Sequence, residues 1–223
     1  MALPQPTYFS GAVEGIVDEA VAKRLIEHVG GVPHIIYGRR GKEYLRGRIG
    51  AFNSAARYSP WFILVDLNHE AACAPSMRGL WLPNRAPHMC FRIVVREIEV
   101  WLLADRDRLA QFLRLSQTKI PRNPENLDDP KQTMVDVARR SRKRDVVKDM
   151  VPRAGSGINI GPAYSSRLIE FIQDRADGWR PHVASAVAPS LARCLNELHT
   201  HISSATAGPA PVRPRPGTEP TEN

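Results

Sequence analysis

The stretch Trp61-Phe62-Ile63-Leu64-Val65-Asp66 decides the fold. It is a continuous apolar run closed by an acid, the pattern of a strand covered on both faces. Pro60 breaks the chain just before it. Upstream, Lys42 to Tyr58 reads as a helix, Gly38-Arg39-Arg40-Gly41 as a turn and Val32 to Tyr37 as a strand. Before that strand, Val17, Ala20, Val21, Leu25 and Val29 recur at helical steps, with Asp18 and Glu19 in the first turn and Gly30-Gly31 as the stop. Thr7 to Val13 is a first strand, followed by Glu14-Gly15. Strand, helix, strand, helix, strand implies right-handed crossovers and a parallel sheet.

Downstream of Asp66, Asn68 to Pro87 reads as a long loop, and Cys90 to Val95 as a fourth strand. Arg96-Glu97-Ile98-Glu99 leads into a single amphipathic helix reaching about Leu115. Ile120 to Lys131 is irregular and carries three prolines, Gln132 to Arg144 reads as a helix, and Gly155 to Gly161 is a glycine-rich loop. Helices follow at Tyr164 to Asp174 and Ala188 to Ser203. The expected class is α/β: a parallel sheet of about four strands flanked by helices, with a helical C-terminal part. Residues 1–204 form that domain, and 205–223, rich in Pro, Ala, Gly, Thr and Glu, form a disordered tail.

The chain of 223 residues suits one domain with its own core. No apolar run approaches a membrane span, and the first residues carry neither the basic start nor the apolar stretch of a signal peptide, so a cytoplasmic location and no membrane partner are expected. Three cysteines are too few for a disulfide framework. A zinc site from His69, Cys73, His88 and Cys90 fits no common ligand spacing. The net charge of +8 and pI of about 9.8 favour polyanionic partners. Part of that charge lies in Arg139-Arg140-Ser141-Arg142-Lys143-Arg144, either a solvated helix face or a phosphate-contacting patch that includes Arg140, Lys143 and Arg144.

In a parallel sheet function gathers beyond the carboxyl ends of the strands. Glu14, Asp66, Glu97 and Glu99 all follow strands, so they are the candidate catalytic carboxylates. Clustered carboxylates repel unless a cation or a proton relieves them, and hard cations such as Mg²⁺ or Mn²⁺ seek such oxygen ligands. Singly, each is equally readable as an acid favoured at a helix N-terminus. Asp105 either supports the site or caps the next helical turn. Arg39, Arg40 and Arg96 either hold a phosphate beside the metal or pair with these carboxylates, and Lys131 is a further candidate phosphate contact. Gly155 to Gly161 is no Walker loop, no Gly-x-Ser-x-Gly elbow is present, and His69, His88, His182 and His199 show no nucleophile partnership.

Glu14-Gly15 with Asp18-Glu19, Ile63-Leu-Val-Asp66-Leu-Asn68, Val95-Arg-Glu-Ile-Glu-Val-Trp-Leu-Leu-Ala-Asp105 and Asp129-Pro130-Lys131 together resemble the Toprim-related proteins grouped as domain of unknown function 4276. The resemblance covers about Thr7 to Leu198, and the 95–105 stretch is its most specific part. It implies a Toprim/Rossmann-like fold and Mg²⁺-dependent nuclease action on nucleic acid, DNA ahead of RNA, in mobile-element or phage defence. It implies Glu14 as general acid/base, Asp66 as first metal ligand, and Glu97 and Glu99 as a further acidic source. The second aspartate of the family's Asp-x-Asp is Asn68 here, which ligates without charge, and Glu70 is close enough to substitute. Two alternatives remain: a catalytically inactive nucleic-acid-binding module of the same fold, and a regulatory subunit of a partner ATPase.

Overall fold

The computed structural model describes residues 5–68 and 73–206. The expected Glu70 and His69, and the tail beyond residue 206, lie outside the described residues. Four strands, β1 (Tyr8–Val13), β2 (Val32–Gly38), β3 (Trp61–Asp66) and β4 (Met89–Val94), form one all-parallel sheet in the order β2-β1-β3-β4. The fold is therefore α/β and Rossmann-like. Every residue of β3 is buried. Its side chains alternate: Phe62 and Leu64 enter the larger core, while Trp61, Ile63 and Val65 enter the smaller one on the opposite face.

Helix α1 (Ile16–His28) packs into the larger core through Val17, Ala20, Val21, Leu25 and Ile26. Helix α2 (Lys42–Ala55) packs into the smaller one through Leu45, Ile49 and Phe52. The first crossover runs from β1 out to β2 and the second runs back from β2 past β1 to β3, so right-handed connections put their helices on opposite faces. This reversal opens a crevice between the carboxyl ends of β1 and β3, where sheets of this kind bind ligands.

The chain after β3 differs from the expected elements in several places, the short helix at Pro181–Ser185 among them. Helix α3 (Ala74–Trp81) lies within the expected loop. It is only eight residues long, Met77 is its one buried residue, and stacking of Trp81 on Phe91 docks it. The expected helix to Leu115 is two, α4 (Glu99–Ala104) and α5 (Arg106–Phe112), because Asp105 leaves helical geometry to cap α5. The expected helix 132–144 stops early as α6 (Pro130–Ala138), and after a break α7 (Arg144–Met150) lies almost wholly beyond the expected end. At the break Ser141 Oγ donates to the Leu113 carbonyl (2.6 Å) and accepts from the Lys143 amide (3.0 Å), competing with the helical ladder. Helices α8 (Tyr164–Gln173), α9 (Pro181–Ser185) and α10 (Pro189–Thr206) complete the C-terminal part. Among the described residues, no helix is long and apolar enough to cross a membrane.

Two buried tryptophans tie this part together. Trp101 donates its indole N–H to Ser190 Oγ (2.7 Å), and Trp179 donates to the Trp101 carbonyl (2.9 Å). Beside them His28 stacks on His182, ring centroids 5.6 Å apart. Burial, with the nearby His182 and His199, holds the His28 imidazole below its ordinary value of 6.5. The folded state thus favours neutral His28, whereas the unfolded chain takes up a proton near pH 6.5. Its stabilising contribution is complete above that pH and is lost as the pH falls towards the lowered folded value. The melting temperature is expected to drop between pH 7.5 and 5, with a shallower slope in His28→Asn; an unchanged slope would exclude this pair as the cause.

Candidate functional site

One end of the sheet collects the site. Glu14 follows β1, Asp66 ends β3, Glu97 lies in the turn after β4, and Glu99 opens α4. The backbone is strained there: Arg39 (φ 62°), Asn68 (φ 49°) and Arg96 (φ 68°), which follow β2, β3 and β4, all have positive φ without being glycine. Such conformations persist only where the surroundings enforce them, and they gather at functional sites. Gly38, at φ 110°, shows why the chain fits so closely here, since a Cβ on it would lie 1.9 Å from the Val13 carbonyl oxygen. Past Gly38, the Arg39 amide donates to the Val13 carbonyl and the Gly41 amide to the Glu14 carbonyl, both at 3.1 Å. The Asn68 amide donates to the Arg96 carbonyl at 2.9 Å. The ends of β1 and β2, and those of β3 and β4, are thereby laced together.

A cavity of about 340 Å³ opens at this edge, lined among others by Asp18, Asp66, Glu99, Lys131 and Tyr164. Asp18 was visible in the sequence only as a helix-capping acid. It plays that part, accepting the Gly15 amide on Oδ2 at 2.9 Å, but its other oxygen is buried in the cavity region. Asp18 Oδ1, Asp66 Oδ1 and Glu99 Oε2 are all buried without a hydrogen-bond partner. Burial of bare carboxylate oxygens is costly unless a proton or cation compensates. Burial, reinforced by the charges of Asp18, Glu99 and Glu14 and opposed by Lys131, holds the Asp66 carboxyl well above the usual range. Burial likewise pushes Glu99 up to about 7, with Lys131 and the Tyr164 hydroxyl pulling the other way. The hydroxyl of Tyr164 donates to Glu99 Oε1 at 3.0 Å.

Glu14 does not line the cavity. Its Oε1 accepts the Asp66 amide at 2.8 Å and lies 3.9 Å from Lys42 Nζ, so it stands against the Asp66 backbone. Glu97 is turned to Lys131, accepting both its amide (2.9 Å) and its ammonium (3.1 Å). Glu97 therefore closes an open N–H of the first turn of α6. Lys131 Nζ reaches to 3.9 Å from Glu99 Oε1. Burial disfavours the Lys131 charge, but Glu99 and Glu97 outweigh it and hold the ammonium above its ordinary range.

The basic candidates are spread out. Arg39 pairs with Glu19 (3.3 Å), Arg40 lies over the Tyr44 ring, and Arg96 reaches the Asn68 carbonyl (3.5 Å) and Asp128 (3.9 Å). Asn68, Arg96 and Glu97 border a second depression of about 330 Å³ next to the first. Arg140 and Arg144 are exposed at the α6–α7 break, and Lys143 lies over the Phe112 ring. That break is roughly 12 Å along α6 from Lys131 at 1.5 Å per residue. A third depression, of about 280 Å³, carries Arg78, Arg92 and Arg193 and ends at Val95, one residue from the second. Arg78 and Arg193 come from helices far apart in sequence, so no local pattern marks them.

The donors suit a hard cation by their chemistry. Among the described residues, however, potential ligand atoms all within 4.8 Å of one another belong to Cys90, Glu197 and His201, not to these carboxylates. No three of these carboxylates bring an oxygen each within 4.8 Å of one another, so a cation among them would take part of its shell from water. Compared with protein-family models, curated proteins and solved structures, the chain matches none.

Proposed function

We propose that this protein is a Mg²⁺- or Mn²⁺-dependent phosphodiester-cleaving enzyme of Toprim type, acting on nucleic acid in the cytoplasm. The observation that carries this reading is the trio of buried, unpartnered carboxylate oxygens of Asp18, Asp66 and Glu99 at the switch point of a parallel sheet. A cation here would be held by these three partly through its own waters, and when bound it would supply Lewis acidity and lower the pKa of water. Tyr164 keeps Glu99 oriented through its 3.0 Å hydrogen bond. Lys131 brings fixed positive charge to the cavity wall, where a phosphoryl oxygen gains most from it. Glu14, fastened to the Asp66 amide, is the group that takes up and returns a proton. The arginines bordering the adjoining depressions hold the flanking phosphates.

The test is cleavage of plasmid, linear DNA and RNA with Mg²⁺ and with Mn²⁺, set against Glu14→Ala. Metal-dependent cleavage lost in a folded Glu14→Ala variant supports the reading, and cleavage retained there removes Glu14 from it. Asn68, which brings no charge where the resembling family has an aspartate, favours a second reading: a nucleic-acid-binding module or partner-ATPase subunit without turnover. Binding without cleavage under every metal condition would select it.

Neutralising Arg140, Lys143 and Arg144 together is expected to weaken nucleic-acid binding and flatten its salt dependence. Each lost phosphate contact lowers the slope of log K against log salt by about 0.9 for duplex DNA. Because the run is remote from the cavity, turnover at saturating substrate should change little. An unchanged slope would leave the run a solvated turn.

A further inference from the structure

The geometry points to a second metal site of a different chemical class: we propose that Cys90, Glu197 and His201 bind a zinc ion that clamps α10 to β4. Cys90 Sγ, a Glu197 carboxylate oxygen and a His201 ring nitrogen all lie within 4.8 Å of one another. Tetrahedral zinc with thiolate and imidazole ligands near 2.0–2.3 Å needs only a small contraction of such a set.

The placement follows from the fold. Cys90 is the second residue of β4, fully buried and facing the larger core. Glu197 and His201 are four apart on α10, hence on one face of that helix, and Cys194, three before Glu197, shares the face. Cys194 is also fully buried, and it lies close enough to Cys90 to act on it electrostatically.

Arg85 and Arg92 both pair with Glu197, Arg92 at 2.8 Å. A carboxylate has about four lone-pair positions, so these contacts orient it and leave room for a metal. Partners of this kind fix a ligand's direction in known metal sites. The donor set of sulfur, nitrogen and a single carboxylate selects zinc over magnesium, the reverse of the all-oxygen site at the strand ends. On binding, the Cys90 thiol gives its proton to solvent, and the thiolate adds its charge to that of Glu197, which Arg85 and Arg92 share. Both helix and strand then share one ligand sphere, so metal binding adds to folding stability.

The full-length protein, stripped with a chelator, is titrated with Co²⁺ and then Zn²⁺ while visible absorption and melting temperature are followed. The expected result is a thiolate-to-cobalt charge-transfer band with tetrahedral d–d absorption, displaced by Zn²⁺, and a melting temperature that rises with metal concentration. Cys90→Ser should remove the charge-transfer band, and His201→Gln should weaken binding by at least about tenfold. Cys73→Ser, at the exposed thiol before α3, should change neither. If Cys90→Ser fails to fold, His201→Gln on the partly exposed side of α10 decides alone. No band, a band that survives Cys90→Ser, or unaltered affinity in His201→Gln overturns the proposal. Mg²⁺-dependent cleavage is read separately and does not depend on the outcome.

Discussion

Asp66→Asn is expected to reduce metal-dependent cleavage by at least about a hundredfold while raising the melting temperature in metal-free buffer. The two effects have one cause. Asp66 is enclosed at the end of β3, and burial and three neighbouring carboxylates disfavour its charge. An asparagine of the same shape keeps the backbone amide that donates to Glu14, removes the charge, and can donate to the surrounding oxygens. What the fold gains, the cation loses. Mg²⁺ should therefore stabilise the parent by RT ln(1 + [L]/Kd), about 2.7 kcal/mol at a hundredfold excess over Kd, and leave the variant unmoved. Differential scanning calorimetry with and without Mg²⁺, beside a cleavage assay, measures both. A variant that melts lower without metal, or that still cleaves, would show that Asp66 is a structural acid.

The largest loss of stability is expected at Asp105. Its side chain is fully buried and takes three bonds from Arg180: the amide at 2.9 Å, Nε at 3.0 Å and Nη2 at 2.7 Å. It also caps α5 by accepting the Arg108 amide at 3.4 Å. Removing one partner of a buried pair costs about 3–5 kcal/mol, because the other is left enclosed and uncompensated. Arg180→Ala should approach that figure, since the buried carboxylate loses its guanidinium and keeps only two backbone amides. Asp105→Ala adds the lost cap, worth about 1 kcal/mol, but leaves the partly exposed Arg180 free to reach water. At about 2–4 °C per kcal/mol for a chain of this size, both variants should melt well below the parent. Urea unfolding monitored by circular dichroism gives the free energies. A change under 1 kcal/mol in either variant would contradict the geometry.

Much of this protein was legible in its residues because the deciding signals are local. The run 61–66 announces a strand buried on both faces, the helical spacing from Val17 to Val29 announces α1, and their alternation leaves a parallel sheet as the consistent arrangement. The sheet's carboxyl edge follows, and with it the nearness of Glu14, Asp66 and Glu99. The second half was less legible. Asp105 breaks a helix that looks continuous because a guanidinium 75 residues away holds its carboxylate. Ser141 ends α6 by reaching back to Leu113.

The roles of side chains at the site were decided by the tertiary structure. Sequence could put Glu97 and Glu99 after one strand, but not send Glu97 to Lys131 and Glu99 into the cavity. That depends on where α6 docks. It could mark Asp18 as a capping acid, but not leave its second oxygen buried and unpartnered, which requires β3 and α4 to close over it. It could count three cysteines, but only the packing of α10 on β4 brings Cys90 to Glu197 and His201. Periodicity and capping act within a few residues and so are written along the chain. Burial, ion pairing and ligand geometry join residues more than a hundred positions apart, and folding alone brings those together.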